Sequence, residues 1–225
     1  MTPGLIAFDL DGTLIETSGE IADAVNDTLL AQGHAPVSQR RVDEWIGHGT
    51  RTLLIAALAH ARDTSTDAVL SAGDFAAIEA QFASHYLERC GTRSRLYPKV
   101  RETLEALRGH GVRLAVLTNK ESRYTDVVLQ AHGLTPLLDA VISGDTLGVK
   151  KPDPAGLQGL MSRYGVDASR TLFVGDSRID IATARNAGVA VWALPYGYNM
   201  GEPIEDSQPD LVIPDVSVLL SHFFH

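Results

Sequence analysis

From Val100 onward the chain alternates helical stretches with short, unbroken apolar runs, and this alternation leaves few folds open. Helical periodicity covers Val100 to Leu107, Ser122 to about His132, Ala155 to Tyr164, and Arg178 to Asn186. The apolar runs between them are Leu114-Ala115-Val116-Leu117, Ala140-Val141-Ile142, Thr171-Leu172-Phe173-Val174 and Ala190-Val191-Trp192-Ala193, with Leu211-Val212-Ile213 as a short final candidate. Strands that are apolar throughout are buried on both faces, which predicts a parallel sheet covered by helices on each side. Near the N-terminus, Leu5-Ile6-Ala7-Phe8 reads as another buried strand. The expectation is an α/β protein with a doubly wound parallel sheet.

Between the first strand and Val100 the pattern is helical for about 80 residues. Ile21, Val25 and Leu29 repeat at helical spacing, with Gly33 as a C-terminal cap. Ser38 can cap a helix carrying Val42, Trp45 and Ile46, and a third runs through Leu53, Leu54, Ala57 and Leu58. A short helix spans Thr66 to Leu70. Asp74 can cap a long one through Ile78, Phe82 and Tyr86 that stops near Gly91. No segment here reads as a strand. The expected division is therefore a discontinuous core, residues 1–15 and 96–225, with a helical domain, 16–95, inserted after the first strand.

The net charge of -9 argues against nucleic acid or an anionic membrane surface as partner. It leaves room for an anionic small molecule, because a bound cation can invert the local field. Cys90 is the single cysteine, so no disulfide joins the chain to itself. No apolar run approaches membrane-spanning length, and the N-terminus enters its first strand without a basic region or cleavage site. The expectation is a cytoplasmic protein, monomeric or a small homo-oligomer.

The predicted strands end in chemistry. Asp9-Leu10-Asp11-Gly12-Thr13 follows the first strand, and paired acids at a buried strand end are costly unless something there needs negative charge. They can hold a divalent cation on oxygen while one carboxylate serves as nucleophile, although Asp-Gly is also ordinary turn chemistry. Thr118-Asn119-Lys120 follows Leu117 and can bind phosphate oxygens or simply cap the next helix. Lys150-Lys151-Pro152-Asp153-Pro154 is a proline-pinned loop with two adjacent cations. Gly175-Asp176-Ser177-Arg178-Ile179-Asp180 places two acids four residues apart at a helix start, suited to a magnesium ion or to capping. Open α/β sheets bind ligands beyond the carboxyl ends of their strands, where all these groups fall.

The four clusters, in this order, resemble the signature of the haloacid dehalogenase (HAD) superfamily in the form its phosphatases and phosphomutases use. The resemblance implies Asp9 as nucleophile and Asp11 as general acid and base, with Thr118 and Lys151 completing the catalytic set. It implies Mg2+ held by Asp9, the backbone carbonyl of Asp11 and Asp176, with Asp180 ordering its waters. Gly12, Thr118 and Asn119 would meet the substrate, a small phosphate ester.

The helical insert resembles the mobile cap of HAD phosphatases. Trp45-Ile46-Gly47-His48-Gly49-Thr50-Arg51 closely resembles the cap loop of bacterial phosphoglycolate phosphatases, and so does Tyr196-Gly197-Tyr198-Asn199-Met200-Gly201-Glu202. Two departures are His48, often Asn in that family, and Glu16, often Asp. The implied substrate is 2-phosphoglycolate, with Arg51 and His48 as candidate partners of its carboxylate; a solvated turn would present the same two residues. A phosphonate hydrolase of this fold would want a cap lysine, and residues 16–88 contain none. A phosphosugar mutase is the enzymatic alternative. A non-catalytic binding protein is the alternative of another class.

Overall fold

The structure is a computed structural model and describes residues 2–224. Its centre is a six-stranded parallel sheet made of β1 (Leu5–Phe8), β4 (Arg113–Leu117), β5 (Ala140–Ile142), β6 (Thr171–Gly175), β7 (Ala190–Ala193) and β8 (Leu211–Val212). The strand order is β5-β4-β1-β6-β7-β8, and Ile6 of β1 lies between Leu114 and Leu172. Side chains alternate between the two faces: Ile6, Phe8, Val116 and Val174 join one apolar core, and Leu5, Ala7, Ala115 and Phe173 the other. Five helices cover the sheet: α6 (Val100–Gly109), α7 (Ser122–Ala131), α8 (Ala155–Tyr164), α9 (Arg178–Ala187) and α10 (Val218–Phe224). This is the doubly wound α/β architecture expected from the alternation. The order reverses at β1, so the crevice at its carboxyl end is the natural ligand position.

Five helices separate β1 from the rest of the sheet: α1 (Ser18–Ala31), α2 (Gln39–Asp43), α3 (Thr50–Ala61), α4 (Thr66–Ser71) and α5 (Phe75–Arg89). Ile21, Val25, Leu29, Leu54, Leu58, Phe82 and Tyr86 bury into a core continuous with one face of the sheet. Gly33 takes φ 76° just past α1, the left-handed turn its position required. Ser38 accepts from the Arg41 N–H and caps α2 as expected. That helix ends at Asp43, so Trp45 and Ile46 lie beyond it in a turn. Asp74 stands at the start of α5 but turns its carboxylate to Arg62, which donates at 2.8 Å, instead of capping. The chain passes between insert and core along an antiparallel ribbon, β2 (Ile15–Glu16) with β3 (Arg95–Leu96). Two residues per strand are too few to leave a periodic signal.

Candidate active site

At the end of β1, the chain turns at Gly12 with φ 84°. A side chain there would collide with the carboxylate of Asp176 and with the Tyr198 ring, so the glycine is needed for space as well as for conformation. Thr13 Oγ1 donates to Asp176 Oδ1 at 2.5 Å, and the Tyr198 N–H donates to Asp176 Oδ2 at 2.6 Å. Both oxygens of Asp176 are thus held, and the residue is buried. The Leu10 N–H donates to Asp9 Oδ1 at 2.7 Å.

Lys151 lies between two carboxylates, with Nζ 2.8 Å from Asp9 Oδ1 and 2.7 Å from Asp180 Oδ1. Asn119 fixes its loop: its side chain accepts from the Lys151 N–H and donates to the Lys151 carbonyl. The same amide donates to the carbonyl of Gly47 in the insert at 3.0 Å. Asn119 is therefore a clip joining two loops, a role its place in the motif did not announce. Asp180 Oδ2 accepts from the N–H groups of Asp176 and Ser177 and from Ser177 Oγ, closing the capping box that starts α9. Ser177, not Asp176, is the capping residue. Among the described residues, every hydrogen bond of the Asp180 carboxylate goes to Lys151 or to this loop.

The cavity is lined from the core by Asp9, Asp11, Thr118, Asn119, Lys120 and Asp176, and from the insert mainly by apolar groups and backbone. Thr118 Oγ1 accepts from the Lys120 N–H at 3.2 Å. Asp11 Oδ1 accepts from Thr17 Oγ1 at 2.6 Å and from Lys120 Nζ at 2.7 Å. The sequence pointed to no role for Lys120, Thr17 or Tyr198, and Thr13, counted there among the oxygen groups of the first cluster, instead holds Asp176. Lys120 and Tyr198 stood inside motifs that were singled out, which was the available signal.

The two cap candidates lie elsewhere. Arg51 is half-exposed, with its Nε 2.8 Å from Glu79 Oε1 and its guanidinium over the Phe75 ring. His48 is exposed, and neither it nor Arg51 lines the cavity. Partial desolvation by the surrounding turn, and the Arg178 charge, hold the His48 pKa below its usual range. From the same turn, Ile46, Gly47, Gly49 and Thr50 line the cavity.

Burial pushes the Asp9 carboxyl up to about 7, against the pull of Lys151 and with the push of Asp180. Burial, then Asp180 and Asp9, likewise raises Asp176 well above the carboxylate range. Burial works against the Lys151 ammonium, but Asp180 and Asp9 outweigh it and raise its pKa. Oxygens of Asp9, Asp176 and Asp180 lie within 4.8 Å of one another. Three buried carboxylates against one ammonium leave excess negative charge, and an all-oxygen donor set of this kind fits a hard divalent cation such as Mg2+. Asp9 and Asp176 line the cavity whereas Asp180 is wholly buried behind it, so Asp9 and Asp176 are the acids best placed to hold the ion directly.

A model of the haloacid dehalogenase-like hydrolase family matches residues 6–194. The phosphoglycolate phosphatase of Aliivibrio fischeri is 42% identical over 217 residues, covering 96% of this chain and 95% of its own. That of Pseudomonas fluorescens is 42% identical over 222 residues, covering 97% and 79%. A solved structure from Haemophilus somnus, described as a predicted phosphoglycolate phosphatase, superposes with a TM-score of 0.93 at 37% identity and covers 99% of this chain and 98% of its own. Among the described residues, no helix is long and apolar enough to cross a membrane.

Proposed function

Since this chain belongs to the haloacid dehalogenase-like hydrolases, we propose that it is a magnesium-dependent phosphatase that hydrolyses 2-phosphoglycolate to glycolate and inorganic phosphate. The observation that carries the reading is the cluster of buried Asp9, Asp176 and Asp180, two of them paired with the buried Lys151, beside a second buried pair, Asp11 with Lys120. The substrate follows from relatives about 40% identical over nearly the whole chain that bear that name. In this reading residues 16–95 form a cap that closes on a core of 1–15 and 96–225, and the protein acts in the cytoplasm on a small-molecule ester.

Asp9 attacks phosphorus in line as the bond to the leaving alcohol breaks, giving an aspartyl-phosphate on Asp9. Asp11 hands a proton to the departing oxygen, then takes one from the water that attacks the intermediate and frees Asp9 and phosphate. Lys151 and the Thr118 hydroxyl face the negative charge that phosphoryl transfer spreads over the equatorial oxygens. Magnesium, held by Asp9, Asp176 and the Asp11 carbonyl, would supply further neutralisation of that charge. The apolar insert wall, Ile21, Ile46 and Leu53, keeps bulk water from the reacting groups.

A screen of phosphate release across small phosphorylated acids and sugars tests the reading. Phosphoglycolate should lead, and excess EDTA should abolish turnover until magnesium is restored. Full activity in EDTA would overturn the metal assignment. A phosphosugar outperforming phosphoglycolate would overturn the substrate and leave the phosphatase standing.

A further inference from the structure

Lys120 is buried to 1% side-chain exposure, and burying an ammonium costs several kcal/mol unless its partners compensate. Its Nζ donates to Asp11 Oδ1 at 2.7 Å and to the hydroxyl of Tyr86, on α5 of the insert, at 2.5 Å. The ammonium also lies 5.0 Å from the centre of the Tyr86 ring. Thr17 Oγ1 donates to the same Oδ1 of Asp11 at 2.6 Å. Among the described residues no hydrogen bond reaches Asp11 Oδ2, so one oxygen of this carboxylate is fixed and the other is free. The two buried lysines divide the carboxylates: Lys151 bonds Asp9 and Asp180, and Lys120 bonds Asp11.

Resting on the phosphatase reading above, we infer that Lys120 is a positioning residue that aims Asp11 at the leaving group, and that Tyr86 holds Lys120 in place from the insert. With Oδ1 clamped, Oδ2 is the oxygen that carries the proton. That proton passes to the leaving oxygen as its bond to phosphorus breaks and the bond from Asp9 to phosphorus forms. In the second step Oδ2 takes a proton from the attacking water. Lys120 keeps all its protons throughout. Because Tyr86 belongs to the insert and Asp11 to the core, seating of the insert and aiming of the acid become one event.

The test uses kcat/KM, which reports the steps up to phosphorylation of Asp9, on phosphoglycolate and p-nitrophenyl phosphate. An alkoxide leaving group needs the proton, whereas p-nitrophenolate leaves nearly unaided. Lys120→Met should lower kcat/KM for phosphoglycolate about tenfold or more and for p-nitrophenyl phosphate less than about threefold, part of the 10²–10⁴ that general acids contribute. Propylammonium should restore part of the loss in Lys120→Ala. Tyr86→Phe, which keeps the ring, should shift both substrates in the same direction by less, and it carries the test if the lysine variants fail to fold. Asp11→Asn on the same pair separates the two failures. If it discriminates between leaving groups while Lys120→Met and Tyr86→Phe do not, the positioning role is overturned and the phosphatase reading stands. If Asp11→Asn does not discriminate either, Asp11 is not the acid, and both fall. A rise in KM for phosphoglycolate alone, with kcat unchanged, would make Lys120 a partner of the substrate's carboxylate and likewise overturn the proposal.

Discussion

The core and the insert face each other across one cavity, yet they build their walls from different materials. On the core side every acid is tied to a named partner: Asp9 and Asp180 to Lys151, Asp11 to Lys120, Asp176 to Thr13 and the Tyr198 N–H. On the insert side the wall is Ile21, Ile46, Leu53, two glycines and Thr50. Polar links do cross between them, from Asn119 to the Gly47 carbonyl, from Thr50 to Glu121 and from Lys120 to Tyr86, but they join the halves around the reacting groups. The difference separates tasks: one wall supplies charge, and the other excludes water and shapes the space. A substitution on the core wall should damage chemistry or fold, whereas one in the outer turn of the insert should do little.

The comparison breaks first at Asp9. Asp9→Asn should reduce kcat more than about 100-fold, and a barrier change below roughly 2.7 kcal/mol in steady-state kinetics would remove Asp9 as the nucleophile. Next comes Asp180→Ala. The resemblance implied an acid that orders the waters of the metal. Its bonds to Lys151, Ser177 and the two N–H groups give it a structural task besides. Loss of the buried partner of a lysine and of a capping box should cost about 3 kcal/mol in denaturant unfolding, and less than about 1 kcal/mol would return Asp180 to the solvent role. Thr50→Val keeps the shape and removes the 2.5 Å hydrogen bond to Glu121 between the halves. It should weaken closure by about 1 kcal/mol, seen as a KM roughly fivefold higher with kcat little changed. An unchanged KM would show that this bond does not help seat the insert.

Smallest should be Arg51→Ala and His48→Ala. The Arg51 pairing with Glu79 is half-exposed and contributes about 1 kcal/mol at most after screening. The expected loss in kcat/KM for phosphoglycolate is less than about twofold for either variant, far below the loss anticipated for Arg51 when it stood as a partner of the carboxylate. A loss of tenfold or more confined to phosphoglycolate would bring that residue back to the substrate and blur the division of the two walls.

How much was legible depends on how local each signal is. The strand Leu5–Phe8 ends at the acids as read, and Ala140–Ile142, Ala155–Tyr164 and Ala190–Ala193 match their expected spans. Each is a short-range pattern bounded by turn residues. The ribbon of β2 and β3 escaped because its pairing joins residues 15–16 to 95–96 across the whole insert. The partners of Lys120, 109 residues from Asp11 and 34 from Tyr86, escaped for the same reason.

Sequence alone determined the alternation of helix and parallel strand, and with it the placing of four motif clusters at the carboxyl end of one sheet. In a parallel strand the carboxyl end has a single direction, so a residue just past it needs no further information to be located. The tertiary structure decided which way the outer residues face and which charges meet. A helix turns about 100° per residue, so Arg51 and Thr50, adjacent in sequence, part company, one to Glu79 and one to the cavity. Only packing selects that rotation. Likewise Lys151 acquires Asp180 as well as Asp9, and Lys120 acquires Asp11, because four loops from distant segments close over the same point. Composition specifies that these charges exist; their pairing is a property of the closed fold, in which a buried charge must find a partner.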